Sequence, residues 1–472
     1  MTICQVIEIL SSTVQIMKGV PMALLKPILN ALNMDDDRCQ ASMIHVKNDH
    51  VASSDVFAVT DLASSSIAAA GLALVKYAFG PQYEGQVSVD QRLAYLWFGS
   101  SLRPQGWKLL SPWDDLAGDY QAQDGFIRLH TNAPHHRNVV TKILGNLDRD
   151  QVAKKVALYQ ADELEEMIIE SGGAAAKMIN SQNWATHPQG HALSDEPLIA
   201  WQHFNDAELI HVPRGSRPLD GLKVLDLTRI IAGPVATRFL AHYGANVLRI
   251  DPKGWDEGEH ILDMTPGKSC ATLDLKDAED LARLKTLISQ ADVFIHGYRA
   301  NALESLGLDA AVLRELNPSL IDIAHNAYGW SGPWRNRRGF DSLVQMSCGI
   351  AAKGMDVSQS HKPYPMSVQA LDHATGYLIA ASALIGLSRL RDHGKACSAR
   401  LSLARTAELL KTTEYDQFGV NSMSEMTDDV CALIEKTALG PLKRLKSPLM
   451  IDGLKPSWAK PASLLHQSRP EF

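Results

Sequence analysis

The sequence predicts an α/β protein, an open and mostly parallel sheet covered by helices, joined to a second, smaller α+β domain. Three observations carry this. The chain has 472 residues, more than one hydrophobic core accommodates, since single cores stop growing near roughly 250–300 residues. From Pro218 onward, short β-branched runs alternate with amphipathic segments, the signature of βαβ units. A Pro- and Gly-containing stretch, His211 to Pro218, separates that region from what precedes it.

Taken in order, residues 1–45 form an opening helical region, and residues 46–211 make the smaller domain, with a long Ala-rich helix at about 61–78. An α+β portion follows at about 115–205, with a strand-like run from Gly125 to His130. Residues 212–218 are the linker, and residues 219–412 the larger domain. Its strands fall at Lys223–Leu227, Asn246–Asp251, Ala271–Leu275, Val293–Gly297 and Leu320–Ala324, and its helices at Ala232–His242, Ala278–Ser289 and Ala310–Leu316. That spacing suits right-handed crossovers in a Rossmann-like sheet. After Arg337–Asp341 come a small-residue helical stretch, a loop at Gly354–Pro365 and a long apolar helix beginning near Asp372. Residues 413–472 read as an extended C-terminal tail, with prolines spread along it.

Composition narrows the partners. With 45% hydrophobic and 21% charged residues and a net charge of -7, the chain reads as a globular protein without the basic face of a nucleic-acid binder. Six cysteines lie without Cys-x-x-Cys spacing, so neither zinc nor a disulfide framework is indicated, and a reducing cytoplasmic setting is expected. Met1 to Leu24 lacks the pattern of a secretory signal. The most apolar run, Ile67 to Phe79, contains Lys76 and is short for a bilayer span, so no membrane partner is expected.

An internal repeat is legible. Val59-Thr60-Asp61-Leu62-Ala63 matches Ala370-Leu371-Asp372-His373-Ala374, and Val87-Ser88-Val89 with Leu93 matches Leu401-Ser402-Leu403 with Ala407. Each half therefore sets an aspartate at the start of an apolar helix, followed by a strand-to-helix connection.

Asp372 has almost no polar neighbour for two turns. One reading is a helix N-cap. The other is a nucleophile, a desolvated carboxylate poised to attack an activated carbonyl, with helix N–H groups to hold the oxyanion. Val224 to Pro234 reads as strand, tight turn and helix start, with Gly233 allowing close approach and Pro234 suited to a first helical turn. Such a terminus suits anions. It lacks Gly-x-Gly-x-x-Gly, so Asp251 is weak support for a nicotinamide site. His130, His135 and His136 have poor spacing for a metal, and none is expected there.

Several blocks together carry a resemblance: Leu219–Pro234, Tyr243–Asp251, Gly267–Lys276, Ala291–Ile295 with Tyr298-Arg299, Leu316-Asn317-Pro318 and Tyr328–Pro333. In this order, over about 190 residues, they resemble the family III CoA-transferases (the CaiB/BaiF family). The resemblance implies that Asp372, followed by Gly376, is the catalytic nucleophile. It implies coenzyme A transfer from an acyl-CoA thioester to a carboxylic acid through aspartyl anhydride and aspartyl-CoA intermediates. It also implies coenzyme A as substrate with no tightly bound cofactor, and a homodimer. Carried over by motif, CoA contacts would be Arg229, Ile230 and Ala232 at the turn, with Lys253, Lys268 and Arg299; Arg229 and Lys268 are the two favoured. The chain departs from the pattern where Gly297 precedes Tyr298, where Ala300-Asn301 follow Arg299, and at Pro252. Trp113 to Gly145 and Glu165 to Gly190 resemble the family's smaller domain, but precede the larger one, as in a permuted or partly duplicated arrangement. Asp61 would be the counterpart of Asp372, with a capping role.

Two rivals remain. Related α-methylacyl-CoA racemases need a second acid/base group and carry a histidine before the Asp of a Gly-His-Asp segment; here Gly339-Phe340-Asp341 offers Phe340, which cannot exchange a proton. His373 would point to another helix face. The third reading is an inactive CoA-binding member of the family. The acyl group is not readable.

Overall fold

A computed structural model describes residues 22–34, 44–47, 55–205, 207, 216–413 and 423–472. Ahead of the linker the chain runs α1 (Leu25–Ala31), β1 (Ile44–Lys47), α2 (Val59–Phe79), β2 (Val87–Asp90), α3 (Gln91–Gly99) and β3 (Leu102–Pro104). Next come β4 (Gly118–Gln121), β5 (Phe126–Leu129), α4 (Pro134–Leu144), α5 (Arg149–Val156), α6 (Ala161–Glu170), β6 (Ala175–Lys177), α7 (Ser181–Thr186), α8 (Pro188–Ser194) and β7 (Ala200–Phe204). The larger unit holds β8 (Lys223–Leu227), α9 (Ala232–His242), β9 (Asn246–Asp251), α10 (Ile261–Met264), β10 (Lys268–Thr272), α11 (Ala278–Gln290), β11 (Val293–His296), α12 (Ala310–Leu316) and β12 (Ile321–Asn326). It continues through α13 (Asp341–Ser347), α14 (Ile350–Ser358), α15 (Ala370–His393), β13 (Ala396–Ser402) and α16 (Leu403–Lys411), before β14 (Glu435–Thr437), β15 (Gly440–Arg444) and β16 (Leu449–Ile451).

The central sheet has the order β10-β9-β8-β11-β12-β13-β7, parallel throughout except for β7. Its inner strands β9, β11 and β12 are almost wholly buried, as expected where helices cover both faces. Asp277 caps α11 by accepting the Glu279 and Asp280 amides, and Asp309 caps α12 by accepting that of Val312. Strand order reverses between β8 and β11, which places a crevice at their carboxyl ends.

The structure moves some of the expected boundaries. The third strand lies at Lys268–Thr272, not Ala271–Leu275, because its ladder with β9 starts at Lys268 opposite Val247. Ile67–Phe79 is part of the 21-residue α2. Both α2 and α15 are long and apolar enough to cross a bilayer, yet 83% and 100% of their apolar windows are buried, so both are core helices. The C-terminal stretch is extended but not free: β15 pairs with β3 and β16 with β2, in the first half of the chain. Within residues 1–45 the elements described are α1 and the start of β1; residues 1–21 and 35–43, and residues 212–215 of the linker, lie outside the described residues.

The repeat is three-dimensional. α2, β2 and α3 correspond to α15, β13 and α16, and α2 packs along α15 in the most extensive helix contact of the fold. Each short helix starts directly after its strand, capped by Asp90 accepting the Leu93 amide or by Ser402 accepting that of Arg405. These caps align Asp90 with Ser402, two residues from the pairing expected from sequence, because an aspartate and a serine do the same work without being identical.

Candidate active site

The turn leaving β8 is built on a buried network. Asp226 accepts the Thr228 amide at 2.9 Å and hydroxyl at 2.5 Å, and the Thr237 hydroxyl on α9 donates to its other oxygen. Lys268 donates to Asp226 at 3.2 Å, to the Pro234 carbonyl at 3.0 Å and to the Thr237 hydroxyl at 2.6 Å. Burial works against the ionised form of both partners. It pushes Lys268 down to about 8, while the Lys268 and Arg249 charges overcome it at Asp226 and hold that carboxyl below its ordinary range. Lys268, 1% exposed, therefore ties strand to helix and presents no cation to a phosphate, a correction to its expected role as a CoA contact.

Gly233 is required here, since a Cβ would lie 2.2 Å from Thr228. Ile230 adopts φ +68°, a left-handed conformation rare for a β-branched residue and held only where the surroundings enforce it. Its amide donates to Glu257 at 2.8 Å, and the same Glu257 oxygen accepts from Arg249 at 2.7 Å and Trp255 at 2.9 Å. One amide of the expected anion-binding turn is thus already committed to a carboxylate. Arg229 lies over the rings of Trp255 and Tyr298, 5.0 and 5.4 Å from their centroids, with its Nη2 donating to the Tyr298 hydroxyl at 3.3 Å. Ala232 is buried in the first turn of α9, while Lys253 and Arg299 are exposed beyond β9 and β11. Five of the six expected contacts therefore follow strand ends of the sheet, and Lys268 turns inward.

The same turn meets the aspartate helix. A Cβ on Gly376 would come within 2.5 Å of the Ala232 carbonyl oxygen, so glycine lets α9 and α15 touch one helical turn beyond Asp372. Asp372 is the third residue of α15. The N-cap is Gln369, which makes no side-chain cap bond. The Asp372 carboxylate, 8% exposed, accepts no hydrogen bond from any described residue. Its backbone amide donates at 2.9 Å to Asp341 Oδ2, and Gln345 donates at 2.5 Å to Asp341 Oδ1. Asp341 is fully buried, which pushes it up to about 6; burial, then the neighbouring Asp341 charge, drives Asp372 well above the ordinary carboxylate range. Two adjacent desolvated carboxyls resist holding two negative charges at once.

The opposite face of α15 is accounted for. His373 stacks on Phe98 of α3 at 5.0 Å, with burial pushing it down to about 3.

Asp61 occupies the same third position in α2, but in different surroundings. Its oxygens accept the Ala23 amide at 2.8 Å and the Ser65 hydroxyl at 2.6 Å. It does not cap α2, whose N-cap is Ala58 without a side-chain bond; it fastens the chain just ahead of α1. That corrects the expected capping role.

Segments from the first half wall the site. His130, following β5, stacks on Phe340 with centroids 3.8 Å apart and rings 5° from parallel. Burial pushes His130 and His136 down to about 3, so both are neutral near pH 7. Phe126 and Met178 pack with Leu343 and Met346 of α13. The Tyr328–Pro333 loop is held by Gln189 of α8, which donates to the Tyr328 and Ser331 carbonyls, and by Glu196, which accepts the Trp330 and Ser331 amides. Among the described residues no group of His, Cys, Asp and Glu is arranged to hold a metal.

Sequence reasoning used Phe340 and passed over its neighbour Asp341; the available signal was a second aspartate opening a helix 31 residues before Asp372. Glu257 gave no signal, since it acts through contacts made by the fold.

Residues 219–429 match the model of CoA-transferase family III. An acyl-CoA transferase of Gibberella moniliformis is 29% identical over 264 residues, covering 52% of this chain and 45% of the relative. A probable fatty acyl-CoA transferase of Mycobacterium tuberculosis is 32% identical over 195 residues, covering 38% and 49%. The crystal structure of that mycobacterial protein matches with a TM-score of 0.39 and 30% identity, over 42% of this chain and 59% of that one. The chain spans about half the length of the curated relatives it matches. Over residues 219–429, the chain is similar to CoA-transferase family III.

Proposed function

We propose that this protein transfers coenzyme A from an acyl-CoA thioester to a free carboxylic acid, with Asp372 as nucleophile. The observation that carries this reading is the Asp372 carboxylate, desolvated, without a hydrogen-bond partner among the described residues, and one helical turn from where α9 meets α15. A carboxylate stripped of solvation is a stronger nucleophile once ionised.

An Asp372 oxygen attacks the thioester carbonyl carbon; the C–S bond breaks, CoA leaves as thiolate, and an aspartyl–acyl anhydride remains. The thiolate attacks the Asp372 carbonyl carbon, releasing the donor carboxylate and leaving an aspartyl-CoA thioester. The acceptor carboxylate attacks that carbonyl, expels thiolate and forms a second anhydride. Thiolate attack on the acceptor carbonyl then yields the new acyl-CoA and free Asp372. No net proton or electron moves, and no ATP is consumed. On this reading Arg229, Ile230 and Ala232 bound the CoA site beside β8, with Lys253 and Arg299 at its rim.

Incubation with an acyl-CoA donor followed by hydroxylamine or borohydride should give one modified residue, Asp372, by peptide mass spectrometry, and Asp372→Ala should give none. Exchange of the substrate α-proton with deuterated water, without any adduct, would overturn the transferase reading in favour of racemisation. The neutral His130 ring against Phe340 makes that control worthwhile.

A further inference from the structure

The two α–β–α units do more than resemble each other. Each strand of the pair has one parallel neighbour: β1 for β2, ending with Lys47 opposite Asp90, and β12 for β13, ending with Asn326 opposite Ser402. Asp90 and Ser402 are the two helix caps, so register and cap coincide in both units. Each strand also has one antiparallel neighbour, and these are exchanged. β7, which follows the first unit in the chain, pairs with β13 of the second, Ala200 opposite Arg400 and Phe204 opposite Ala396. β16, which follows the second unit, pairs with β2 of the first, Leu449 opposite Val89 and Ile451 opposite Val87. The long helices lie against each other between these sheets, and each uses a glycine for close contact. A Cβ on Gly71 would sit 2.9 Å from Leu449, and one on Gly386 would sit 2.8 Å from both Cys397 and Ile321.

Reciprocal exchange of an equivalent strand between two like units is how identical subunits interlock. We infer that this chain is a pseudo-dimer closed on itself, in which the unit headed by Asp61 takes the place of a second subunit and no second copy is needed to complete the Asp372 site. Two further observations agree. The material between β2 and β7 lays His130 against Phe340, and Phe126 and Met178 against α13, so the wall of the Asp372 site comes from the same chain. The Asp61 carboxylate, 4% exposed, has both oxygens engaged by Ala23 and Ser65, so the second unit is a sealed partner that forms no acyl adduct. The adduct clause rests on the proposed transfer reaction; the architecture does not.

Two measurements test this. Sedimentation velocity across a hundredfold concentration range should give the mass of one chain throughout, and two differently tagged copies expressed together should not co-purify. A stable homodimer, or specific activity that falls on dilution, would overturn the inference. In the second measurement, a protease site inserted between β7 and β8 is cleaved in the folded protein. The halves should remain together through gel filtration at the mass of one chain, whereas separation would overturn the exchange. Labelled acyl-CoA should leave at most one adduct per chain, and an adduct on Asp61 would overturn the sealed-partner assignment. A protein that runs as one chain yet forms no adduct would count against the transfer reaction and leave the pseudo-dimer standing.

Discussion

Asp341 shows how a single residue tunes the candidate nucleophile. It accepts the Asp372 amide, so it orients the start of α15, and its charge makes ionisation of Asp372 harder. Asp341→Asn keeps an acceptor oxygen for that amide and removes the charge. The acidic limb of the pH–rate profile, which reports ionisation of Asp372, should therefore move to lower pH without vanishing, because burial remains. Stability should shift as well. A carboxyl raised in the folded state from 3.8 to about 6 stabilises the fold fully below the unfolded value and loses that contribution as pH rises through the folded one. Asp341→Asn should accordingly raise the melting temperature at pH 8, by roughly 1 °C for each kcal/mol recovered, and have little effect at pH 3. Asp372 was legible as a residue because it is an isolated charge in an apolar run; Asp341 was not, because its part depends on a contact through space. Lys268 was misread for a related reason: a lysine in a Gly-Lys-Ser block looks exposed until Asp226 is seen to draw it into the core.

At the scale of elements, β8, β9, α9 and α12 fall where the sequence predicts them, because a continuous apolar run marks a strand buried on both faces and the intervening polar or Pro-containing turns mark the helix starts. The strand β10 was displaced because it opens with the inward-turned Lys268, which a hydrophobicity pattern counts as polar. What no pattern supplies is the crossing of α9 and α15, which is set by Gly376. Gly376→Ala would push a methyl into the Ala232 carbonyl oxygen, a backbone atom that can yield only if α9 moves. Overpacking of this kind costs about 1–3 kcal/mol, so the urea midpoint should fall. Because the β8–α9 turn would shift with the helix, the KM for acyl-CoA should rise by more than the stability loss explains. An unchanged KM would dissociate that turn from CoA binding.

At the scale of the molecule, the sequence repeat announced two like units, but not that they trade strands, since β16 is only three residues long and lies in a stretch that reads as tail. Leu449, 3% exposed, packs where α2, β2 and β16 meet. Leu449→Ala would remove the side chain that fills this junction and leave a cavity, at a cost of about 2–5 kcal/mol. Hydrogen exchange should then show lost protection in β1 and β2, while β8 to β12 stay protected. Loss spread evenly over both sheets would instead mean that the two units unfold as one.

The exchanged strands also impose an order in time. The first sheet needs β16, which the ribosome delivers only after every strand of the larger sheet has been made. β2 must therefore wait, its edge at Val87 and Val89 unpaired by β16, until the larger sheet has been synthesised. Such delayed long-range pairing is slow and exposes an apolar edge. A sheet begun before the larger one is thus closed after it.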